Sequence, residues 1–285
     1  MNRRTTRGGG RDAIPRGRAR RPAPQSAAPP RAKPSRESLA FPGVATPLTP
    51  PPGFVESART IGVEYEPGDV DTLGTYLSLL LSANTLVNLT AIADPAEAWT
   101  RHILDSLSLV QVLADLPEGS RVVDVGSGGG LPGVPLAICM PGLRFTLLEA
   151  TAKKAAFLRH VVGELGLRTV DVAALRAEAA GRDPRHRERY DAVVARAVGA
   201  MRVLLELTVP LANWAEGEEP GRVFLIKGQK SDEELAQAKR ALHELHAAHA
   251  ATIPTPTGRI VVIEKLRKTP AKYPRRDGEP AKAPL

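Results

Sequence analysis

Hydrophobic and polar positions repeat with two different periods along this chain, and the periods predict different elements. From residue 121 onward, short apolar runs predict strands at 121–125, 144–149, 169–174, 190–195, 221–227 and 259–265. Between these runs, apolar residues spaced by three and four predict helices at 131–139, 152–166, 200–211 and 231–248. Strands that alternate with helices predict an α/β fold, in which a mostly parallel sheet has helices on both faces.

A purely helical pattern precedes the alternating region. It predicts helices at 54–61, at 69–86 and from residue 94 onward. Asp94 suits the N-cap of the third helix and Pro95 its first helical position. His102, Asp105 and Ser106 fall on the face of this helix opposite its apolar stripe. We expect that face to line the entry for a substrate or to brace a neighbouring loop.

Both ends of the chain are basic and differ in composition from the rest. Residues 1–40 carry a charge of +9 and residues 265–285 a charge of +5, so the total of +8 leaves −6 between them. The first 52 residues are rich in arginine and proline and poor in large apolar side chains, which predicts a disordered tail. Basic ends suit nucleic-acid binding, and solvated tails explain the charge equally well.

These boundaries divide the chain into four parts. They are a tail at 1–52, a helical region at 53–120, an α/β domain at 121–265 and a basic tail at 266–285.

Composition excludes several classes of protein. The single cysteine, Cys139, leaves no disulfide framework and no cysteine-based zinc site. His243, His246 and His249 have helical spacing but no convergent carboxylates, so we expect no metal. No apolar run approaches ~18 residues and the N-terminus has no apolar signal segment. We therefore expect a cytoplasmic, soluble protein, monomeric and not associated with a membrane.

The most informative motif is the glycine-rich turn after the first predicted strand. Glycines allow positive φ and close approach of a ligand to the backbone, and the helix start behind them offers free N–H groups. A dinucleotide site requires a third glycine where this chain has Leu131. The spacing of Gly126, Gly128 and Gly130 is instead G-x-G-x-G, which is typical of S-adenosylmethionine sites.

Two carboxylates accompany this turn. Glu149 ends the second predicted strand, where a carboxylate can accept hydrogen bonds from both hydroxyls of a ribose. Asp124 lies at the end of the first strand and is expected to orient the loop or the ammonium group of a cofactor.

Basic residues at strand ends and on helices are candidates for binding RNA. Arg196 and Lys227 end apolar strands, so they point at a ligand cleft unless they pair with Asp124, Glu149 or Asp191. In the cleft we expect Arg196 to contact the cofactor or the target base and Lys227 a backbone phosphate, which makes both candidates for a catalytic role by positioning. Further candidates for RNA contact are His102, Lys153, Lys154, Arg159, Lys268 and Arg275. For the three on the helix at 152–166, a solvated helix face is an equally good interpretation.

Several blocks together resemble one bacterial family. They are Asn88-Leu89-Thr90, the run from Arg101 to Ser106, the run from Val123 to Ala137, Leu147-Leu148-Glu149, Ala195-Arg196-Ala197 and Lys227-Gly228-Gln229-Lys230. In these blocks the chain resembles the small-subunit ribosomal RNA guanine-N7 methyltransferases, formerly called glucose-inhibited division protein B. The resemblance covers about residues 70–265 and leaves out the N-terminal tail.

The resemblance implies a Rossmann-like class I methyltransferase fold and S-adenosylmethionine as the cofactor. It implies methylation of N7 of a guanine in the 530 loop of 16S rRNA, either free or in the small ribosomal subunit. It also implies that Gly126 and Leu131 line the cofactor, that the backbone of Ala177 and Glu178 contacts the adenine, and that Arg196 matches an arginine after the fourth strand.

The chemistry of this reaction assigns no general base. N7 of guanine has a lone pair and no proton, so positioning against the methyl donor is the main requirement. Three alternatives remain open from the residues. They are a methyltransferase of a different RNA or a protein, a nicotinamide-dependent oxidoreductase, and a non-catalytic RNA-binding assembly factor.

Overall fold

A mixed sheet with helices on both faces forms the body of the protein. The computed structural model describes residues 40–43, 46–196 and 199–285. Its strands are β1 (Arg121–Val125), β2 (Arg144–Leu148), β3 (Val170–Ala173), β4 (Ala192–Arg196), β5 (Arg222–Lys227), β6 (Ala247–Pro254) and β7 (Arg259–Lys265). They lie in the order β3-β2-β1-β4-β5-β7-β6. The first five run parallel, whereas β7 is antiparallel to both of its neighbours.

Helices precede the sheet and connect its strands. Those before β1 are α1 (Phe54–Thr60), α2 (Asp69–Ala83), α3 (Pro95–Ala98), α4 (Asp105–Leu107) and α5 (Val110–Leu113). Those after it are α6 (Gly133–Cys139), α7 (Ala152–Glu164), α8 (Ala177–Ala180), α9 (Met201–Thr208), α10 (Ser231–Gln237), α11 (Lys239–Leu245) and α12 (Glu279–Lys282). No helix in the described ranges is both long and apolar enough to cross a membrane.

Successive residues of the central strands enter two separate hydrophobic cores. Val122 packs with α1, α2, α6 and α7, while Val123 packs on the opposite face with α9 and α11. This alternation follows from the pleat, which turns neighbouring side chains to opposite faces. The expected α/β fold with helices on both faces is confirmed.

The helical region before the sheet belongs to the first of these cores. Asp94 accepts a hydrogen bond from the N–H of Glu97 (2.7 Å), as expected of an N-cap. The helix then passes through a π-helical turn at Trp99–Leu104. Asp105 and Ser106 are buried, so the polar face of this helix lies inside the protein and not at its surface.

The expected helix at 231–248 forms as two helices, α10 and α11, and is wrong only for its last three residues. α11 ends where His246 adopts a left-handed conformation with φ of 58°, and β6 begins at Ala247. The alanine-rich sequence of β6 favours a helix locally. Pairing with β7 along the whole length of β6 overrides that preference, and the sequence around Ala247 carries no local sign of it.

The ends of the described chain are packed against the domain. Residues 1–39 of the expected tail lie outside the described residues, but Phe41 packs edge-on against Phe157 and the N–H of Leu48 bonds Gly74 O (3.2 Å). After β7 the chain is not a free tail either. Tyr273 is buried, and Arg275 forms an ion pair with the fully buried Glu206 (2.5 Å).

We predict that Gly133→Ala destabilises the protein, because α6 packs directly on the sheet. A Cβ at this position would overlap Leu147 Cδ2 and lie 2.9 Å from Asp124 Oδ2. Overpacking of this kind costs about 1–3 kcal/mol, measurable by urea denaturation. Gly163→Ala is the control, because nothing lies within 4 Å of its Cβ position and alanine favours the helix. Equal stabilities for the two variants would contradict this packing.

We predict that Arg275→Ala lowers the free energy of unfolding by about 3–5 kcal/mol, since it leaves the buried Glu206 carboxylate without its partner. Lys268→Ala serves as the control. The Lys268 side chain is 71% exposed and 4.0 Å from Glu188, so its removal is expected to cost less than about 1 kcal/mol. An Arg275→Ala protein as stable as the control would show that the ion pair does not hold the C-terminal segment.

Candidate active site

The loop between β1 and α6 has the geometry expected of the glycine-rich motif. Gly126, Gly128 and Gly130 have φ of 75°, 57° and 102°, which side chains other than glycine rarely adopt. The N–H of Gly126 bonds Leu148 O (2.9 Å), so the loop turns across the end of β2.

Glu149 holds this loop through its carboxylate. Oε2 accepts a hydrogen bond from the N–H of Gly128 (3.0 Å) and Oε1 accepts one from the N–H of Thr151 (2.6 Å). Each carboxylate oxygen keeps a further lone pair after these bonds. The two oxygens can therefore still accept hydroxyl groups of a ligand at the loop.

Asp124 lies fully buried at the end of β1. Its Oδ2 accepts the N–H of Gly133 (3.1 Å) at the start of α6. Among the described residues, Oδ1 has no hydrogen-bond partner. Burial raises the pKa of Asp124 to about 7, although the bond from Gly133 favours its charged form.

Two parts of the helical region, α2 and the segment at 88–90, pack against the glycine loop. The hydroxyl of Tyr76 on α2 donates to Gly129 O (2.9 Å). A Cβ at Gly129 would lie 3.5 Å from Leu89 Cβ, so the segment at 88–90 packs directly against the loop. Tyr76 falls within the apolar face of α2, so its position in the sequence does not distinguish it from a core residue.

A cleft of about 600 Å³ opens beside this contact. It lies at the carboxyl ends of β4 and β5, where ligands bind in open α/β sheets. Its lining includes Leu89, Thr90, Arg101, His102, Asp105, Arg196, Lys227 and Thr257. The cleft therefore adjoins the glycine loop through Leu89.

The expected strand-end cations line this cleft, and each has an acidic partner. Arg196 pairs with Asp105 (3.2 Å) and also donates to Arg101 O (2.8 Å). Lys227 pairs with Glu234 (2.7 Å). Ion pairs were the alternative interpretation of both residues, but the carboxylates differ from those expected, since Asp124, Glu149 and Asp191 belong to other contacts.

Comparison with known protein sequences identifies one family. Residues 69–259 match the family model described as rRNA small subunit methyltransferase G. A relative of that name from Sorangium cellulosum is 48% identical over 230 residues, which cover 81% of this chain and 94% of the relative. Relatives of the same name from Pelotomaculum thermopropionicum (41% identical, covering 81% of this chain and 96% of the relative) and Roseiflexus castenholzii (42%, 80% and 97%) extend the likeness.

The chain belongs to the rRNA small subunit methyltransferase G family.

Membership in this family confirms the expected class I methyltransferase fold and S-adenosylmethionine as the cofactor. It also excludes the nicotinamide-dependent alternative. The residues at the loop fit the cofactor, because Glu149 has free acceptor capacity and Asp124 has a buried oxygen without a partner among the described residues.

The other residues that we expect at the cofactor lie in two different parts of the fold. Leu131 is buried in the core that contains α2 and α7. Ala177 and Glu178 begin α8 after β3. The Glu178 carboxylate accepts the N–H of Gly278 (2.8 Å), so the C-terminal segment holds this short helix in place.

The expected RNA-binding residues do not form one surface. Lys153 and Arg159 are exposed and Lys154 is half-buried on α7. Lys268 follows β7. In the register of the two strands, Glu264 near the end of β7 lies opposite Arg222, the first residue of β5. Lys268 therefore lies toward the edge of the sheet opposite the glycine loop.

The three histidines with helical spacing do not share one helix. His243 lies on α11, His246 follows its last residue, and His249 lies on β6. Within the described ranges no group of three or more His, Cys, Asp or Glu side chains has the arrangement of a metal site. The absence of a metal stays a prediction.

His102 is buried, only 5% exposed, and connects the cleft to the segment at 88–90. Its Nε2 lies 2.7 Å from Thr90 Oγ1 and its Nδ1 lies 3.4 Å from an Arg196 nitrogen. Burial, and after it the nearby Arg196 charge, lower the pKa of His102 to about 4. The ring is therefore neutral at pH 7 and cannot act as a charged RNA contact.

We predict that the His102 ring stays neutral down to about pH 4, as read from imidazole nitrogen shifts by NMR. An unfolded histidine titrates near pH 6.5, so the unfolded chain binds this proton first. The contribution of His102 to stability is thus complete above pH 6.5 and is lost as the pH falls toward 4.

Arg196→Met tests the second cause of this shift. Removing the cation should raise the pKa of His102, while burial still holds it below 6.5. Titration of His102 near 6.5 in the unaltered protein would contradict the buried position.

Proposed function

We propose that this family member transfers a methyl group from S-adenosylmethionine to N7 of a guanine in the 530 loop of 16S rRNA. Its family membership supports the reaction class. The observation that carries the proposal is the cleft beside the glycine loop, which brings an open acceptor site next to the residues that fit the cofactor.

The cofactor-facing roles follow from the contacts of the loop. Glu149 accepts the ribose hydroxyls, while the backbone of Gly126 and Gly128 lies along the cofactor and Asp124 orients the loop. The family resemblance, and not a contact of the loop, supports the backbone contact of Ala177 and Glu178 with the adenine and the position of Leu131 beside the cofactor. S-adenosylmethionine supplies an electrophilic methyl group on a sulfonium.

The acceptor requires positioning and no base. N7 would form the new bond with its lone pair as the methyl–sulfur bond breaks, and the sulfur would keep that electron pair. No proton leaves, and the positive charge of the sulfonium passes to the guanine. Correct placement of two reactants is worth up to roughly 7–11 kcal/mol in well-oriented systems. Arg196 and the neutral His102 shape the cleft for this placement.

Binding of RNA draws on the cations at the cleft and on α7. Arg101, with a side chain 63% exposed, and Lys227 line the cleft and can exchange their carboxylate partners for phosphates. Lys153, Lys154 and Arg159 on α7, which do not line the cleft, would add further phosphate contacts. Such contacts release counterions, so binding weakens steeply as salt concentration rises.

We infer that the partner is 16S rRNA, free or within the small ribosomal subunit, and that the protein acts in the cytoplasm as a monomer. Nothing in the reaction calls for a metal or a membrane.

Mapping of 7-methylguanosine tests the proposal directly. 16S rRNA is isolated from cells with and without the gene, cleaved chemically at 7-methylguanosine and examined by primer extension. We expect a stop at one guanine of the 530 loop that disappears without the gene and returns on complementation. A stop that persists without the gene contradicts the proposal.

Further measurements on the same two strains, of methyl groups in other RNAs and in ribosomal proteins and of subunit assembly, separate the alternatives. A stop lost elsewhere in RNA indicates a different RNA target, and methyl transfer to ribosomal proteins only indicates a protein methyltransferase. Loss of subunit assembly with all methylated bases retained indicates an assembly factor.

Glu149→Ala is predicted to raise the Kd for S-adenosylmethionine about tenfold to a hundredfold, measured by calorimetry, because charge-assisted hydrogen bonds contribute about 1.5–3 kcal/mol. Glu149→Gln keeps one acceptor oxygen, so its Kd should fall between those of the wild-type protein and Glu149→Ala. Glu164→Ala, at the far end of α7, is the matched control and should leave the Kd unchanged. An unchanged Kd in Glu149→Ala rejects the assigned role.

A further inference from the structure

Thr90 lies in the cleft with its backbone fixed on both sides. Asn84 Oδ1 accepts the N–H groups of Leu89 (2.8 Å) and Thr90 (3.0 Å), and Asn84 Nδ2 donates to Thr90 O (2.9 Å). Leu89 packs against Gly129. The position of Thr90 relative to the glycine loop is therefore set by rigid neighbours and not by its own side chain.

The hydrogen bonds around His102 determine which way the Thr90 hydroxyl donates. Arg196 is permanently charged and has only donors, so we assign the His102 Nδ1 that faces it as the acceptor. The neutral ring then carries its proton on Nε2 and donates it to Thr90 Oγ1. The N–H of Ile92 donates to the same oxygen (3.0 Å).

Both acceptor positions of the Thr90 oxygen are thus filled by protein donors. A hydroxyl has one O–H donor and two acceptor lone pairs. Its own proton has no protein acceptor among the described residues, and Thr90 lines the cleft. The chain therefore presents one oriented, neutral O–H donor to whatever enters the cleft.

We propose that Thr90 is a specificity-determining residue that donates its hydroxyl proton to O6 of the target guanine. This inference rests on the proposed function, because it assigns a residue to the recognition of that function's acceptor base. Guanine presents two acceptors, N7 and O6, on this edge, whereas adenine presents N7 and an amino donor. A single donor at O6 accepts guanine and opposes adenine.

The chemistry of the reaction favours a hydroxyl over a cation at this position. Arginine bonds guanine through O6 and N7 together, which would occupy the atom that must be methylated. A cation would also oppose the positive charge that the base gains. The pairs Arg196–Asp105 and Lys227–Glu234 hold the charged groups of the cleft, and Thr90 contributes none.

The test compares Thr90→Val, which keeps the shape and removes the donor, with Thr90→Ser, which keeps the donor. The substrates are small subunits reconstituted from 16S RNA with guanine, hypoxanthine or 2-aminopurine at the mapped target. Hypoxanthine keeps O6, and 2-aminopurine lacks it. Methylation is followed with labelled S-adenosylmethionine, as kcat/KM for each base.

The wild-type protein and Thr90→Ser should methylate guanine and hypoxanthine at similar kcat/KM and 2-aminopurine much more slowly. In Thr90→Val, the ratio of guanine to 2-aminopurine should fall about tenfold, the value of one neutral hydrogen bond. A change in folding alone lowers all rates together and leaves this ratio unchanged.

Two results would overturn the inference, and they differ in what else they affect. If the wild-type protein forms 7-methylguanosine but Thr90→Val keeps the wild-type ratio, Thr90 does not read O6 and the proposed function stands. If the wild-type protein forms no 7-methylguanosine on any of these subunits, the proposed function and this inference both fall.

Discussion

The contact of the Glu149 carboxylate with the backbone of the glycine loop is the constraint on which the site depends. A loop with three residues at positive φ has little local preference for one shape. Glu149 fixes it from β2, Asp124 fixes the start of the following helix, and Tyr76 bonds it from α2. The loop is thus held by one strand on each side and by a helix of the preceding region.

This arrangement explains why the helical region before β1 is part of the active site. It packs in the same core as one face of the sheet, so it cannot separate from the sheet without exposing that core. Through Asp105 it contacts Arg196 at the end of β4 and Thr257 in the turn between β6 and β7. Three distant parts of the chain therefore form the walls of one cleft.

The sequence allowed prediction of the features that short-range patterns control. The apolar runs of β1 and β7 predicted both strands with their observed bounds, and the spacing of Gly126 and Glu149 predicted the cofactor class. Family resemblance added the acceptor, which no local pattern of residues reveals.

Prediction failed where contacts between distant parts of the chain determine the local structure or the partner of a side chain. Asp105 and Thr257 are 152 positions apart, and no periodicity could reveal that they bond. β6 has a helical composition and is a strand only because β7 pairs with it. The C-terminal segment is basic in composition, yet its Arg275 forms an ion pair with the buried Glu206. The charge of Arg275 is therefore not free to bind RNA.

Calorimetric titration of the full chain with S-adenosylmethionine, and separately with NAD, is the sharpest test of the role assigned to the glycine loop. We expect one S-adenosylmethionine site per chain and no heat from NAD. Absence of binding by S-adenosylmethionine, or equal binding by NAD, would contradict the assignment of the glycine loop.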